Sequence, residues 1–302
     1  MKDIYLIWNL LSLRGIGPNK VNTILKSLRA KSNNLSKENN LLEELKKYLT
    51  ENQFKEFIEG KDKIKEQLKI IEKDNWSIVS VLSKDYPQKI IRYLGKNAPP
   101  LLFYKGNTAL LKNKNVGFCG SRKASQIGLL VARDCVKQLS HQKIGTISGY
   151  AAGIDQEVHK SALAYGGTTI IVLPEGILNF KIKKYLKDIW DWNRVLVISQ
   201  FLPDAKWSVS NAMSRNKIIV SLSDLMILIE AKSKGGSMDA GRTALKMGKP
   251  LYTPIYRGMP DFATGNKILL KEGAIPLNRD EKSKFTANLL PLYNKLNTIS
   301  LY

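Results

Sequence analysis

The amino-acid sequence predicts an α/β fold, a parallel sheet covered by helices on both faces and preceded by a small all-helical segment. Two features carry this expectation. From residue 116 onward, short unbroken apolar runs alternate with amphipathic stretches of helical length, and strands that are apolar throughout belong to sheets buried on both faces. Before residue 74, apolar residues recur at helical spacing instead. A chain of 302 residues and 34.0 kDa has room for about two domains with a proper core.

Taken in order, Leu6, Leu10, Leu11 and Leu13 precede the turn Gly15-Ile16-Gly17-Pro18, and Val21, Ile24, Leu25 and Leu28 follow it on one helical stripe. Ser36 to Lys73 reads as two further helices, with Leu41, Leu42, Leu45 and Leu49 on an apolar face. Trp76 to Gly106, with Tyr86-Pro87 and Pro99-Pro100, reads as an extended lead-in to the sheet. Strands are expected at Val116–Cys119, Gly145–Ser148, Thr169–Leu173, Val195–Ile198, Leu225–Ile229 and Pro250–Thr253. Helices are expected at Ser125–Leu139, Ile154–Tyr165, Lys181–Trp190, Val209–Leu222 and Met238–Met247. The tail after Asp280 shows one short apolar helix or strand. The expected division is therefore 1–73, 74–280 and a tail of 281–302.

Charge is the unusual property. Lys plus Arg number 48 against 26 Asp plus Glu, a formal net charge of +22. Residues 37–73 hold nine basic and nine acidic residues, the mixed pattern of solvated helix faces. Residues 74–302 carry 33 basic against 16 acidic residues, so the surplus lies mainly on the sheet-forming part. Such a surplus suits an anionic partner, although runs such as Lys112–Asn115 also fit a generally Lys-rich composition.

Two cysteines and two histidines without ligand spacing exclude a zinc site. Cys119 and Cys135 lie in apolar runs, as buried thiols of a reducing cytoplasm would. The apolar N-terminus is too short to span a membrane and lacks a cleavage signal. Neither GxxxxGK[ST] nor a GxGxxG after a strand occurs, so no nucleotide cofactor is indicated.

In parallel sheets, ligands bind at the carboxyl ends of the strands. The first strand there ends in Gly120-Ser121-Arg122-Lys123, where a small residue, a hydroxyl and a guanidinium fork suit a phosphate. A tight turn capped by Ser125 accounts for the same residues. The second ends in Ser148-Gly149, with Asp155 at the following helix start and His159 one turn on. These read either as a cap with packing or as an acid/base pair. Arg215-Asn216-Lys217 reads as two cations around an amide at a helix start, or as a solvated helix edge. After the fifth strand, Glu230-Ala231 is followed by Lys232, Lys234, Gly235, Gly236 and Ser237, a glycine-rich helix opening that suits an anion.

The joint order of these elements is more specific than any one of them. Tyr86-Pro87, Gly106, Gly120-Ser121-Arg122, Ser148-Gly149, Gly153-Ile154-Asp155, His159, Gly176, Ser214 to Ile219, Glu230-Ala231, Gly236-Ser237 and Glu272-Gly273-Ala274 together resemble the DNA-processing protein A (DprA/Smf) family over residues 76–277. The Gly15–Pro18 turn is similar to that family's helical N-terminal module of sterile-alpha-motif or helix-hairpin-helix type. The resemblance implies a Rossmann-like domain in a cytoplasmic, dimeric, non-enzymatic protein that binds single-stranded DNA. It also implies roles in transformation and recombination, through protection of the strand and loading of a RecA-type recombinase.

Gly120, Ser121, Arg122, Lys123, Ser148, Gly149, Arg215, Asn216, Lys217, Lys232, Lys234, Gly236 and Ser237 would then hold the phosphate backbone, with no metal or cofactor. Phe201 and Trp207 are aromatic candidates for base stacking. Lys217 stands where the family usually has Arg, and Gly235-Gly236-Ser237-Met238 replaces its usual Ser-Gly-Ser-Thr. No winged-helix segment is evident after residue 280. The alternative is a nucleotide sensor or phosphoribohydrolase-like enzyme of the wider superfamily, with defence as its setting. Arg242 stands where the hydrolase motif PGGxGTxxE has its Glu, which argues against hydrolysis.

Overall fold

A computed structural model of the chain describes residues 2–30, 38–281 and 286–299. Ser36 and Lys37, where the second helical segment is expected to begin, and residues 282–285 and 300–302 of the tail lie outside them. The helical part comprises α1 (Lys2–Ser12), α2 (Pro18–Ala30), α3 (Glu38–Lys46), α4 (Glu51–Glu59) and α5 (Lys61–Lys73). Residues 38–73 thus form three helices rather than two. Thr50 and Gln53 close a reciprocal capping box that starts α4, and Gly60 ends it, so the continuous apolar pattern is cut by local hydrogen bonding.

Next come β1 (Ser77–Ser80), α6 (Gln88–Leu94), β2 (Leu101–Gly106), β3 (Asn115–Gly120), α7 (Gln126–His141), β4 (Gly145–Ser148), α8 (Ile154–Ala164), β5 (Thr169–Val172) and β6 (Val195–Ser199). The chain continues through α9 (Val209–Leu222), β7 (Leu225–Ile229), α10 (Gly236–Lys246), β8 (Leu251–Thr253), α11 (Thr264–Lys271), β9 (Ile275–Pro276) and α12 (Leu290–Ile299). The strand order among the described residues is β1-β2-β6-β5-β4-β3-β7-β8-β9. Strands β3 to β8 are mutually parallel, as their apolar runs suggest, and the two-residue β9, not among the expected strands, adds parallel at the edge.

Two expectations are corrected. Trp76 to Gly106 is no extended lead-in. Ser77–Ser80 pairs antiparallel with Leu101–Tyr104, and β2 adds antiparallel to β6. The backbone bonds that define these strands come from partners distant in sequence, which a four-residue run cannot announce. Lys181–Trp190 is not an α-helix either; only Lys184–Ile189 coils, as a 3₁₀ helix. Its start is tied elsewhere, because Lys183 donates through its backbone N–H to the Tyr150 hydroxyl and through Nζ to the Tyr150 carbonyl.

The pleat sorts side chains onto two faces. Leu102, Tyr104, Leu196, Ile198, Met226 and Leu228 meet α6, α9, α10 and α11 on one. On the other, Leu225, Ile227 and Ile229 meet α7, α8 and α12, while Leu101, Phe103, Val195 and Val197 meet the N-terminal helices. The apolar cluster therefore crosses the expected boundary at residue 73, with Trp8 edge-on to Phe103 at 5.6 Å. Both cysteines are buried and free. Among the described residues, no helix is long and apolar enough to cross a membrane.

Candidate functional site

The chain runs from β3 outward to β4, β5 and β6, then returns to the other side of β3 with β7 and β8. The strand order reverses between β3 and β7, and a crevice opens beyond their carboxyl ends at such a reversal. The loops after β3 and β7 leave toward opposite faces there. Their join is specific: Ser237 at the start of α10 donates to the Gly120 carbonyl at 2.7 Å. On the other face, the buried Glu230 accepts from the Ser125 backbone N–H at 2.8 Å and from the hydroxyls of Ser125 and Tyr256. Ser125 in turn caps α7 by accepting the Gly128 N–H at 3.0 Å. The Ser125 cap, one of the two readings of this loop, is thus present, and the carboxylate it meets at the helix start is the chain's own Glu230.

Gly120 does not leave room for a ligand. A Cβ there would meet the Ile229 carbonyl at 2.1 Å and Ile154 at 2.5 Å, so its small size serves strand and helix packing. Ser121 is held by its N–H to Ile229 and its carbonyl from the Ile154 N–H, which leaves Arg122 and Lys123 projecting into solvent. The Arg122 guanidinium lies over the Trp207 ring, 5.5 Å from its centroid.

The Arg215-Asn216-Lys217 expectation is corrected in its local setting. These residues sit in the middle of α9, which starts at Val209 under a Ser208 cap. Lys217 is exposed, whereas Arg215 and Asn216 face inward. Asn216 donates to the Gly236 carbonyl at 3.0 Å, linking α9 to the α10 loop. Arg215 runs beneath the β4 and β5 ends. Its Nη1 donates to the Val172 carbonyl at 3.0 Å and lies 4.0 Å from Asp155 Oδ2, while its buried Nε has no hydrogen-bond partner among the described residues. Burial pushes this guanidinium's pKa down and Asp155 pulls it back up. Gly149 is what lets Arg215 pass, because a Cβ would stand 1.6 Å from Nη1.

Ser148 and Gly149 also lie below the surface. The Ser148 hydroxyl is 2.9 Å from both the Phe118 carbonyl and Asp155 Oδ1, and Asp155 Oδ2 accepts the Ala151 N–H at 3.2 Å. His159 is fully buried. Its Nε2 faces the Gly149 carbonyl, which can only accept, so Nε2 carries the proton and Nδ1 accepts from the Thr169 hydroxyl at 2.7 Å. Desolvation pulls the imidazole down to about 4. Asp155 and His159 are therefore separately satisfied, a bonded support under the loops rather than a linked acid/base pair.

Lys232, Lys234 and Gly236 are exposed on the loop after β7, with Ser237 partly so. Bonding within α10 begins with Asp239 N–H to Gly235, so the earlier N–H groups are free to meet an anion. Arg122, Lys123, Lys217, Lys232 and Lys234 make no ion pair with another described residue.

Sequence reasoning missed the role of Glu230 and the Lys183–Tyr150 tie. The latter has no signal in the sequence, because Lys183 is one of three lysines, with Lys181 and Lys184, in residues 180–186. A separate groove of about 920 Å³ runs along β1 and Tyr86–Lys89 and shares none of these residues.

The family model for DNA recombination-mediator protein A matches residues 77–286. Over 197 residues the chain is 34% identical to the DNA processing protein DprA of Streptococcus pneumoniae, covering 65% of this chain and 68% of that one. Over 216 residues it is 29% identical to protein Smf of Escherichia coli, covering 70% and 57%. The X-ray structure of the pneumococcal DprA superposes with a TM-score of 0.73 at 26% identity, covering 90% of this chain and 93% of that one. DNA processing protein A from Helicobacter pylori, whose structure concerns its unique single-stranded DNA binding mode, shares the fold at TM-score 0.58 and 24% identity, covering 75% and 96%.

Proposed function

This chain belongs to the DNA recombination-mediator protein A (DprA/Smf) family, and from that premise we propose that it binds single-stranded DNA across the loops beyond β3 and β7. The observation that carries the reading is a set of exposed cations without described ion-pair partners: Arg122 and Lys123 on the loop after β3, Lys232 and Lys234 on the loop after β7, and Lys217 on the solvent side of α9. Arg122 supplies a bidentate fork and the lysines point charges. The α10 opening at Gly236 and Ser237 adds backbone donors. Arg215, Asn216, Ser148 and Gly149 hold these loops from beneath. A role in DNA uptake by transformation and in recombination, loading of a RecA-type recombinase, a homodimer and a cytoplasmic location belong to the same proposal and rest on the family resemblance.

Bond cleavage is not part of this function. General acid/base work needs a proton carrier poised near the working pH, and His159 is neutral, buried and bonded at both nitrogens. Arg242, at the position of the hydrolase Glu, is committed to Glu272 at 2.6 Å.

A titration with single-stranded oligonucleotide, duplex and mononucleotides across a salt series tests the proposal. Each neutralised phosphate of a single strand contributes about −0.7 to the log–log salt slope, so five contacts imply a slope of about −3.5. A flat salt response, or tight binding of a mononucleotide alone, overturns it in favour of a nucleotide-binding role.

A further inference from the structure

Trp207 stands between β6 and α9 and is 47% exposed. The other four of the five tryptophans lie in or against the apolar cluster beneath the N-terminal helices. Val209 and Met213, one helical turn apart at the head of α9, are also exposed, at 64% and 41%. Trp207, Val209 and Met213 thus turn apolar side chains to solvent in the segment that approaches the exposed cation Arg122. Phe201 is only partly exposed. Trp207 alone of the two is a broad ring open to solvent, and Arg122, which projects from the β3 loop, lies over it. Lys123 and Lys206 flank the pair on their own loops and are exposed.

An indole face and a guanidinium plane are both stacking surfaces for a nucleobase, and the guanidinium also binds phosphate. Bases present their faces only where they are unpaired, since duplex bases are already stacked. We propose that Trp207 is the base-stacking platform of this site, and that Arg122 beside it holds the adjoining phosphate, so that the pair selects unpaired over paired DNA. This rests on the strand-binding reading above and adds the contact that discriminates strand from duplex.

The test compares wild type, Trp207→Ala, Trp207→Phe and Arg122→Ala on three probes of equal length: oligo-dT, an abasic sugar-phosphate strand, and a duplex. Losing one base–aromatic stack should raise Kd for oligo-dT about 5- to 150-fold. Trp207→Ala should leave Kd for the abasic strand unchanged, and Trp207→Phe should restore most of the loss. Arg122→Ala should weaken binding to both strands. Oligo-dT should quench the fluorescence of the exposed indole in wild type and in Arg122→Ala at saturation.

If Trp207→Ala binds oligo-dT as wild type does, while the salt slope persists, the platform is refuted and the phosphate reading stands. Equal weakening on both strands refutes it too, because Trp207 then only positions Arg122. Unchanged binding with a shift in sedimentation would make the patch an interface between copies and defeat the proposal. A wild-type chain that binds neither strand overturns both readings together.

Discussion

Replacing His159 by Gln is expected to remove part of the acid sensitivity of folding. In the folded chain the imidazole is buried between the Gly149 carbonyl and the Thr169 hydroxyl, itself 2.9 Å from the Thr146 hydroxyl that donates to it. With the neutral ring the Thr169 hydroxyl donates to Nδ1, so a proton added there would force that hydroxyl to turn round. Desolvation holds the folded pKa at about 4, against an ordinary value of 6.5. Below pH 6.5 the unfolded chain takes up a proton here that the folded chain refuses until about pH 4. Stability from this group is therefore complete above pH 6.5 and is lost as pH falls through that window. The full gap is worth about 3 kcal/mol at roughly 1.36 kcal/mol per pH unit, and the part lost between pH 7 and 4.5 is about 2 kcal/mol. Urea unfolding of wild type and His159→Gln at those two pH values isolates the term, because all other titrating groups are common to both. The wild type should lose about 2 kcal/mol more than the variant. Equal losses in the two proteins would refute the assignment of a buried neutral imidazole.

Three further outcomes are expected. Arg122→Ala should weaken binding of single-stranded DNA by about 1.5–3 kcal/mol, the worth of a charged hydrogen bond, whereas Lys46→Ala, on the exposed face of α3 and paired to Glu43, should not; equal affinities by fluorescence anisotropy would take Arg122 out of the site. Gly149→Ala should destabilise the fold by about 1–3 kcal/mol, because its methyl would stand 1.6 Å from Arg215 Nη1 and 2.4 Å from Asp155; an unchanged urea midpoint would show that Arg215 does not occupy that space. Incubation with nucleoside monophosphates, NAD and labelled DNA, with and without Mg²⁺, should show no turnover. Turnover lost in His159→Ala or Asp155→Ala would overthrow the non-enzymatic reading.

The strands β3 to β8 were legible in the sequence because strands buried on both faces read as near-continuous apolar runs, most clearly at Leu225–Ile229, while the buried Thr146 and Ser148 of β4 are tolerated because each is hydrogen-bonded. The loops that could meet phosphate were legible for a related reason: Gly120-Ser121-Arg122 and Lys232 to Ser237 each follow such a strand directly. Their order along the chain carried the family. What the sequence left undecided concerns direction in space. Arg215 and Lys217 are two residues apart and chemically alike, yet one lies under Gly149 at 4% exposure and the other faces solvent. Helix α9 is packed against α6, α10 and the sheet, so most of its circumference is buried and no polar stripe marks its outer side. Asp155 and His159 are spaced to share a helix face, but Asp155 is bonded to Ser148 and Ala151 while His159 is bonded to the Gly149 carbonyl and to Thr169 of β5, and only the assembled sheet shows that they are not bonded to each other. The antiparallel strands β1 and β2 and the Arg122–Trp207 pair were likewise decided by tertiary structure. Residues joined across 20 to 90 positions leave no periodic trace, because their partners are chosen by the closing of the sheet and not by their neighbours in the chain.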